Sequence, residues 1–274
     1  MSPAAPTRLG VLGWPVRHSR SPRMQTAALE ALGLDGWTYD LLPCPPEALA
    51  ELLAALPGAG FVGANVTIPH KEAAVAAAAS ATDAARAIGA ANTLTVRDDG
   101  TLHADNTDAP GTIDALGDLD PAGSRALVLG AGGSARAVAW ALKAAGADVG
   151  VRNRSHERAV QLAADLGVRA ESPHEPVHAD LLVHCTSLGL DGRTTPLIQD
   201  LGLAVDDLSR CALVVDLVYR PDGPTPLLRS ALDAGVLVVD GLEVLVRQGA
   251  LSLEAWTGRP APLDVMRATA RARA

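Results

Sequence analysis

The sequence predicts an α/β fold made of two open, mostly parallel sheets. Short apolar segments typical of strands alternate with segments of helical periodicity, an order that packs helices on both faces of a parallel sheet. The alternation starts again at about residue 125, after a hairpin-like stretch. A chain of 274 residues is long enough for two modest domains, each with its own core.

The elements of the first half are predicted from cap and turn signals. Ser21 stands where it can cap a helix, with Pro22 at the first helical position and Gly33 just past the end. The turn at 98–100 separates two strand-like segments and predicts a β-hairpin. The predicted strands are 8–12, 61–68, 92–97 and 101–104, and the predicted helices are 21–32, 71–79 and 109–116.

The second half repeats the alternation of strand and helix. Its predicted strands are 125–129, 147–151, 180–185, 213–218 and 236–239, and its predicted helices are 134–145, 155–166, 225–234 and 242–256. We place the end of the first domain at residue 108, before the helix that follows the hairpin.

The composition argues against several classes of protein. The formal net charge is −8 with no block of Lys or Arg, so we expect no nucleic-acid partner. The apolar runs fall short of the roughly 18 residues that a membrane span needs, and residues 1–8 do not resemble a signal peptide. Cys44, Cys185 and Cys211 are far apart and odd in number, which favours free thiols over a disulfide or a metal framework. We therefore expect a cytoplasmic protein without a membrane partner or a bound metal.

A glycine-rich loop joins the first strand of the second half to its helix. It consists of Gly130, Ala131, Gly132, Gly133, Ser134 and Ala135, which match G-x-G-x-x-A. Glycines let the backbone approach a pyrophosphate, and the helix start offers N–H groups and the positive end of a dipole. A strand-to-helix turn that binds nothing is the alternative, but the complete β-α-β pattern favours a Rossmann-type nucleotide-binding domain.

The residues after the next strand predict NADP as the cofactor. An NAD site would carry an acid about 20 residues beyond the loop, to bind the ribose hydroxyls. That place holds Asn153, followed by Arg154 and Ser155, with Arg158 one turn further on. Arginine suits a 2′-phosphate because it can donate two parallel hydrogen bonds. Arginines that are merely solvated at a helix start are the alternative.

Polar residues of the first half follow predicted strands, where an open α/β sheet binds its ligands. Lys71 starts a helix, where the dipole gives a cation no benefit, so function explains its place better than helix stability does. A surface lysine on an Ala-rich helix is the alternative. Asp108 can bind a ligand or, like Thr107, cap the next helix, and Ser21 after the first strand can do both.

Eight blocks in chain order, over about residues 9–258, resemble the shikimate dehydrogenase family. Asn65-Val66-Thr67-Ile68-Pro69-His70-Lys71 is similar to the N-V-T-x-P-x-K segment of that family. The other similar blocks are 13–22, 89–93, 106–108, 130–136, 153–155, 216–221 and 240–248. One such block would be weak, whereas eight collinear blocks are specific.

The resemblance implies an NADP-dependent oxidoreductase that interconverts 3-dehydroshikimate and shikimate, on the route to chorismate and the aromatic amino acids. Lys71 and Asp108 would form its catalytic pair. Three residues would hold the substrate carboxylate: Ser19, Ser21 and Tyr219. Three others would join the pair around the hydroxyls and the reacting oxygen at C3: Thr67, Asn92 and Gln248. The loop 130–135, the segment Asn153, Arg154, Ser155 and Arg158, and Gly241 would bind NADP(H).

The resemblance also implies the arrangement of the domains. Residues 1–108 together with 242–274 would form the substrate-binding domain, to which the helix from residue 242 returns, and 109–241 would form the NADP-binding domain. We expect a monomer or a homodimer. A quinate or amino-shikimate dehydrogenase of the same family, and a non-catalytic NADP-binding protein, are the alternatives.

The sequence departs from the family pattern at four places. Ala109-Pro110-Gly111 follows Asp108 where glycine usually comes at once, Val244 stands for a frequent Met, His184 opens a block that usually opens with Asn, and Ser155 stands for Thr. None of these changes removes a reacting group, but they bear on the shape of the nicotinamide pocket.

Overall fold

The computed structural model describes residues 6–173, 177–189, 202–220 and 223–272. They fall into two compact units. One unit runs to Gly111 and resumes from Val246 to Ala272, and the other runs from Thr112 to Leu245. Each unit contains one six-stranded sheet with helices, as the α/β prediction required.

The first unit is built on a mixed sheet with the strand order β2-β1-β3-β5-β6-β4. Its strands are β1 Thr7–Gly13, β2 Trp37–Pro43, β3 Phe61–Val66, β4 Ser80–Ala81, β5 Thr93–Val96 and β6 Leu102–Asp105. β1 runs parallel to β2 and β3, whereas β5 is antiparallel to β3 and β6. The antiparallel pair of β5 and β6 is the hairpin that the turn at 98–100 predicts.

The helices after these strands begin where the sheet presents its carboxyl ends. They are α1 Ser21–Ala31, α2 Leu49–Ala55, α3 Lys71–Ala77, α4 Asp83–Ile88 and α5 Asp108–Ala115. The expected cap at Ser21 is wrong, because Ser21 is the first residue of α1 and Arg20 holds the capping position without a side-chain cap. Instead, the Ser21 N–H donates to Oγ of Ser19 at 3.2 Å. Ser19 thus satisfies one of the N–H groups that a helix start leaves free.

The second unit has a fully parallel sheet with the order β12-β11-β10-β7-β8-β9. Its strands are β7 Arg125–Leu129, β8 Asp148–Arg152, β9 Arg169–Ala170, β10 Leu181–His184, β11 Leu213–Asp216 and β12 Leu237–Asp240. Its helices are α6 Gly133–Ala144, α7 His156–Leu166, α8 Val205–Leu208 and α9 Pro226–Asp233. The order places β7, with its glycine loop, at the centre of a Rossmann-type sheet.

Two further helices follow, α10 Gly241–Thr257 and α11 Leu263–Arg271. The division between the units falls within α5 and within α10. Small side chains build much of both cores, because aromatic residues make up only 3% of the chain. In α6, for example, Ala135, Ala137, Ala139 and Ala141 are buried, which lets the helix approach the sheet closely. In the part of the chain that the structure describes, no helix has the length and apolar character to cross a membrane.

The three cysteines are free and buried. Burial raises the pKa of the Cys211 thiol to about 11 and also raises the pKa of Cys44. We therefore expect a reductant to change neither the melting temperature nor the activity, because no disulfide holds the fold and few thiolates form at neutral pH. Thermal unfolding with and without reductant measures this, and a lower melting temperature with reductant would contradict it.

Candidate active site

A buried ion pair connects the starts of two helices in the first unit. Lys71 is the first residue of α3, which follows β3, and Asp108 is the first residue of α5, which follows β6. Nζ of Lys71 donates to Oδ2 of Asp108 at 2.5 Å, and each side chain is 10% exposed. The dipole at a helix start favours Asp108 and disfavours Lys71, so the carboxylate compensates for the position of the lysine.

Asn92 fixes the Asp108 carboxylate and Gln248 with one carboxamide. Its Nδ2 lies 2.9 Å from Oδ1 of Asp108 and 2.9 Å from Oε1 of Gln248. Its Oδ1 accepts the N–H of Thr107 at 2.7 Å, which holds the chain just before Asp108. The start of α5 is satisfied by Asn106, whose Oδ1 accepts the N–H of Ala109 at 3.1 Å, so neither alternative cap residue is needed. Four of the predicted residues, Lys71, Asn92, Asp108 and Gln248, therefore meet in one hydrogen-bonded group.

A cluster of buried hydroxyls lies behind this group, and the sequence did not single it out. Oγ of Ser252, on α10, is 2.8 Å from Oγ1 of Thr93 and 3.0 Å from Oγ1 of Thr107. Asn65 donates to the same Ser252 oxygen at 2.9 Å. Because an unsatisfied buried hydroxyl is unfavourable, this closed set of hydrogen bonds holds β3, β5 and α10 in one arrangement.

Ser21 lies beside the same network, near Tyr39. The Tyr39 hydroxyl donates to Oδ1 of Asn65 at 2.6 Å, and Ser21 is close enough to the phenol to influence its pKa. Burial raises the pKa of Tyr39 well above its ordinary value, so the phenol stays neutral. Ser19 is half-buried beside Ser21, which leaves part of its side chain accessible.

Thr67 follows β3 directly and lies against the end of β1. A Cβ added to Gly13, the last residue of β1, would come within 2.3 Å of Cγ2 of Thr67. Glycine at this position therefore allows the two strand ends to approach each other. Thr67 itself is half-buried, so its side chain is partly accessible.

Gly111 lies in close contact with the segment that carries Gln248. A Cβ at Gly111 would lie 2.7 Å from the backbone nitrogen of Gln248 and 2.9 Å from its Cβ. A glycine three residues after Asp108 thus lets α5 pack directly on the segment that carries Gln248.

The glycine loop of the second unit has the form that a pyrophosphate needs. Gly130 has φ +123°, a backbone conformation that favours glycine. A Cβ at Gly132 would meet no atom of the described residues within 4 Å, so they leave the space beside it open. Gly132 precedes α6 without a side-chain cap, in a helix of twelve residues. This open backbone at a helix start fits the diphosphate of a dinucleotide.

The residues predicted to bind the 2′-phosphate, here called the clamp, lie after β8 and at the start of α7: Asn153, Arg154, Ser155 and Arg158. Nδ2 of Asn153 donates to the carbonyl of Ser155 at 2.9 Å, which fixes the turn, and Arg154 and Arg158 are exposed. Nη2 of Arg158 lies 3.5 Å from the carbonyl of Ala131, in the glycine loop. The two arginines and the glycine loop therefore lie at the same edge of the sheet.

An acidic residue, Glu157, lies beside the clamp at the start of α7. It accepts from the Ser155 hydroxyl at 2.9 Å. Hydrogen bonds from its own backbone N–H and from Ser155 lower its pKa.

Tyr219 and Gly241 belong to the second unit, whereas Ser19, Ser21 and Thr67 belong to the first. Tyr219 is half-buried after β11. Pro221 of the same block lies outside the described residues.

No group of three or more His, Cys, Asp or Glu side chains that could hold a metal ion occurs among the residues that the structure describes.

Three family profiles match this chain. They are described as the shikimate dehydrogenase substrate binding domain over residues 11–94, shikimate / quinate 5-dehydrogenase over residues 115–187, and the shikimate 5'-dehydrogenase C-terminal domain over residues 241–271. The matches follow one another in chain order, as the sequence blocks do.

Individual relatives of this chain include shikimate dehydrogenases and one protein named for another reaction. The chain is 44% identical over 273 residues to a protein named shikimate dehydrogenase (NADP(+)) from Anaeromyxobacter sp. (strain Fw109-5), with 94% of each chain covered. A solved structure of shikimate 5-dehydrogenase from Thermus thermophilus, in complex with NADP(H) and shikimate, is 43% identical with a TM-score of 0.85 and covers 96% of this chain and 98% of that one. The ligand-free 5-ketofructose reductase of Gluconobacter sp. strain CHM43 is 30% identical, with a TM-score of 0.81 and coverages of 97% and 98%.

Proposed function

This chain belongs to the shikimate dehydrogenase family, and on that premise we propose that it catalyses the reversible NADPH-dependent reduction of 3-dehydroshikimate to shikimate. The reaction is a step on the route to chorismate and the aromatic amino acids. The buried ion pair of Lys71 and Asp108, held by Asn92, is the observation that supports catalysis most directly. It supplies the polar groups that reduction of a ketone requires.

Lys71 and Asp108 act together on the reacting oxygen. NADPH supplies the hydride when it is bound. The oxygen at C3 gains negative charge in the transition state, and the Lys71 ammonium stabilises that charge and donates a proton to it. Asp108 orients the ammonium, and its own position is fixed by Asn92. Because both side chains are about nine-tenths buried, water screens the interaction with the oxygen only weakly.

Ser19 and Ser21 bind the substrate carboxylate, and Thr67, Asn92 and Gln248 bind the ring hydroxyls. Ser19 and Ser21 are adjacent at the start of α1, and a hydroxyl donates to a carboxylate without introducing a second charge. The short path from Tyr39 through Asn65 to Ser252 supports one rigid site, because both steps are buried hydrogen bonds.

The second unit binds NADP through the glycine loop, the start of α6 and the clamp residues. Gly130, Ala131, Gly132, Gly133, Ser134 and Ala135 surround the diphosphate in this proposal, and Asn153, Arg154, Ser155 and Arg158 surround the 2′-phosphate. Gly241 follows β12, which lies on the other side of β7 from β8, and it completes the cofactor site there. We assign residues 1–108 and 242–274 to the substrate and residues 109–241 to the cofactor.

Arg154→Ala tests the choice of cofactor. We expect the wild-type protein to use NADP better than NAD by at least about tenfold in kcat/KM, or about 1.4 kcal/mol. The variant should raise KM for NADP and leave KM for NAD nearly unchanged, because only NADP carries the 2′-phosphate. Arg210→Ala, which removes an exposed arginine of the same unit, is the control. Equal losses with both cofactors would show that Arg154 supports the fold.

The proposed function is tested by incubating the purified protein with shikimate and NADP and following the nicotinamide absorbance. Formation of NADPH that depends on shikimate is the expected result. NADP binding without turnover on any substrate would favour a non-catalytic binding protein.

We also propose that the enzyme is cytoplasmic, acts as a monomer or a homodimer and has no nucleic-acid or membrane partner.

A further inference from the structure

A buried imidazole joins the ends of two neighbouring strands in the second unit. His184 ends β10 and Asp216 ends β11, and the two residues are register partners. Nδ1 of His184 lies 2.8 Å from Oδ1 of Asp216, and Nε2 lies 2.6 Å from Oγ1 of Thr186. The side chains of His184 and Asp216 are fully buried. The mechanism proposed above uses none of these three residues.

Both carboxylate oxygens of Asp216 accept further hydrogen bonds from the segment that follows β11. Its Oδ1 also accepts the N–H of Val218 at 2.9 Å, and its Oδ2 accepts the Thr225 hydroxyl at 2.6 Å. Thr225 is the N-cap of α9. Because both carboxylate oxygens accept hydrogen bonds, Nδ1 of His184 carries the proton that it shares with Asp216. Asp216 therefore holds both ends of the segment between β11 and α9.

The other ring nitrogen holds the loop that follows β10. Oγ1 of Thr186 accepts the N–H of Leu188 at 3.1 Å, which closes a turn. In the neutral imidazole with its proton on Nδ1, Nε2 is an acceptor and the Thr186 hydroxyl is its donor. One imidazole thus ties residues 185–189, after β10, to residues 217–220, after β11, and these two stretches are called the tied loops below.

Both tied loops lie against glycines of the proposed cofactor site. A Cβ at Gly130 would lie 3.1 Å from the carbonyl oxygen of Cys185, and a Cβ at Gly241 would lie 2.3 Å from the carbonyl oxygen of Leu217. In the sheet, β10 and β11 lie on the opposite side of β7 from β8, which carries the clamp for the 2′-phosphate. Because a dinucleotide-binding sheet binds one nucleotide on each half, the tied loops belong to the nicotinamide half.

We propose that His184 is a positioning residue that holds residues 185–189, after β10, and residues 217–220, after β11, at the nicotinamide half of NADP. The inference rests on the proposed function. His184 touches neither reactant, and it acts through Asp216 and Thr186. If the tie is lost, Asp216 keeps its contacts to Val218 and Thr225, but the two loops are no longer coupled to each other.

The test separates the two halves of the cofactor. Dissociation constants for NADP+ and for adenosine 2′,5′-bisphosphate, which lacks the nicotinamide, are measured together with kcat for shikimate. The variants are His184→Ala, His184→Asn, whose amide can still donate to Asp216, and the control Val214→Ala, which trims the buried core of β11 without touching the tie. All four proteins are compared well below their melting temperatures.

His184→Ala should weaken NADP+ binding about tenfold and lower kcat by about 10²-fold, the loss that misplacement by about 1 Å can cause. Adenosine 2′,5′-bisphosphate should bind as it does to the wild type. His184→Asn should recover part of kcat, and Val214→Ala should keep kcat and both affinities. Equal weakening of both ligands, unchanged kcat in His184→Ala, or no recovery in His184→Asn would overturn the proposal. Failure of the wild type to turn over shikimate would instead refute the proposed function.

Discussion

Lys71→Ala is expected to lower kcat by about 10²–10⁴-fold, the usual contribution of a positioned acid–base group. KM for shikimate should change far less, because the interaction with the reacting oxygen is stronger in the transition state than in the ground state. NADP should still bind, since Lys71 lies in the first unit and the glycine loop in the second. Steady-state kinetics and a separate titration with NADP measure these effects. Lys143→Ala, which removes the lysine that donates to the carbonyl of Leu166, is the matched control.

Asp108→Asn should resemble Lys71→Ala, because the two side chains form one hydrogen-bonded unit. Groups that act together are not additive, so the double variant should be little worse than the poorer single variant. Losses of kcat that multiply in the double variant would show that the two residues act independently. A large rise of KM with kcat intact in Lys71→Ala would make Lys71 a binding residue, and the proton would need another donor.

Ser19→Ala is expected to weaken shikimate binding by about 1.5–3 kcal/mol, the value of a hydrogen bond to a charged group, which is about 10- to 150-fold in KM. The structure adds a second effect. Because Oγ of Ser19 accepts the N–H of Ser21, the variant should also lose about 1 kcal/mol of stability, as removal of a helix cap does. Kinetics and thermal unfolding measure the two effects separately.

Ser21→Ala should weaken binding to a similar extent without the loss of a cap, because Ser21 is the first residue of α1 and lies beside Tyr39. Ser209→Ala, an exposed serine of the second unit, is the control for both variants. An unchanged KM in both Ser19→Ala and Ser21→Ala would place the carboxylate elsewhere.

The sequence predicts the α/β architecture well because its signals are local. The glycine loop sits between a buried strand and a helix, and the hairpin has a turn of its own at 98–100, so short segments are enough to recognise both. Seven elements were not predicted, of which β4, β9 and α8 have only two to four residues: β2, β4, β9, α2, α4, α8 and α11. The cap of α1 was predicted at Ser21, whereas Arg20 holds the capping position and the Ser19 hydroxyl accepts the first N–H of the helix.

Residues of the site that depend on tertiary contacts could not be predicted in the same way. Thr93 and Ser252 are distant in sequence, and only packing of α10 brings their hydroxyls within 2.8 Å of each other. A buried serine on a helix has no pattern that separates it from a solvated one. His184 was noticed as a departure from the family, but its tie to Asp216 follows only from the parallel register of β10 and β11.

The ratio of kcat/KM for shikimate to kcat/KM for quinate, measured with NADP, tests the proposed function most directly. Quinate carries an additional hydroxyl on the carbon that bears the carboxylate, so it differs from shikimate at the place that we assign to Ser19 and Ser21. We expect shikimate to be preferred by at least about tenfold, a difference that the fit of one polar group can produce. Equal use of the two acids, a preference for quinate, or no turnover of either with NADP would contradict the assignment.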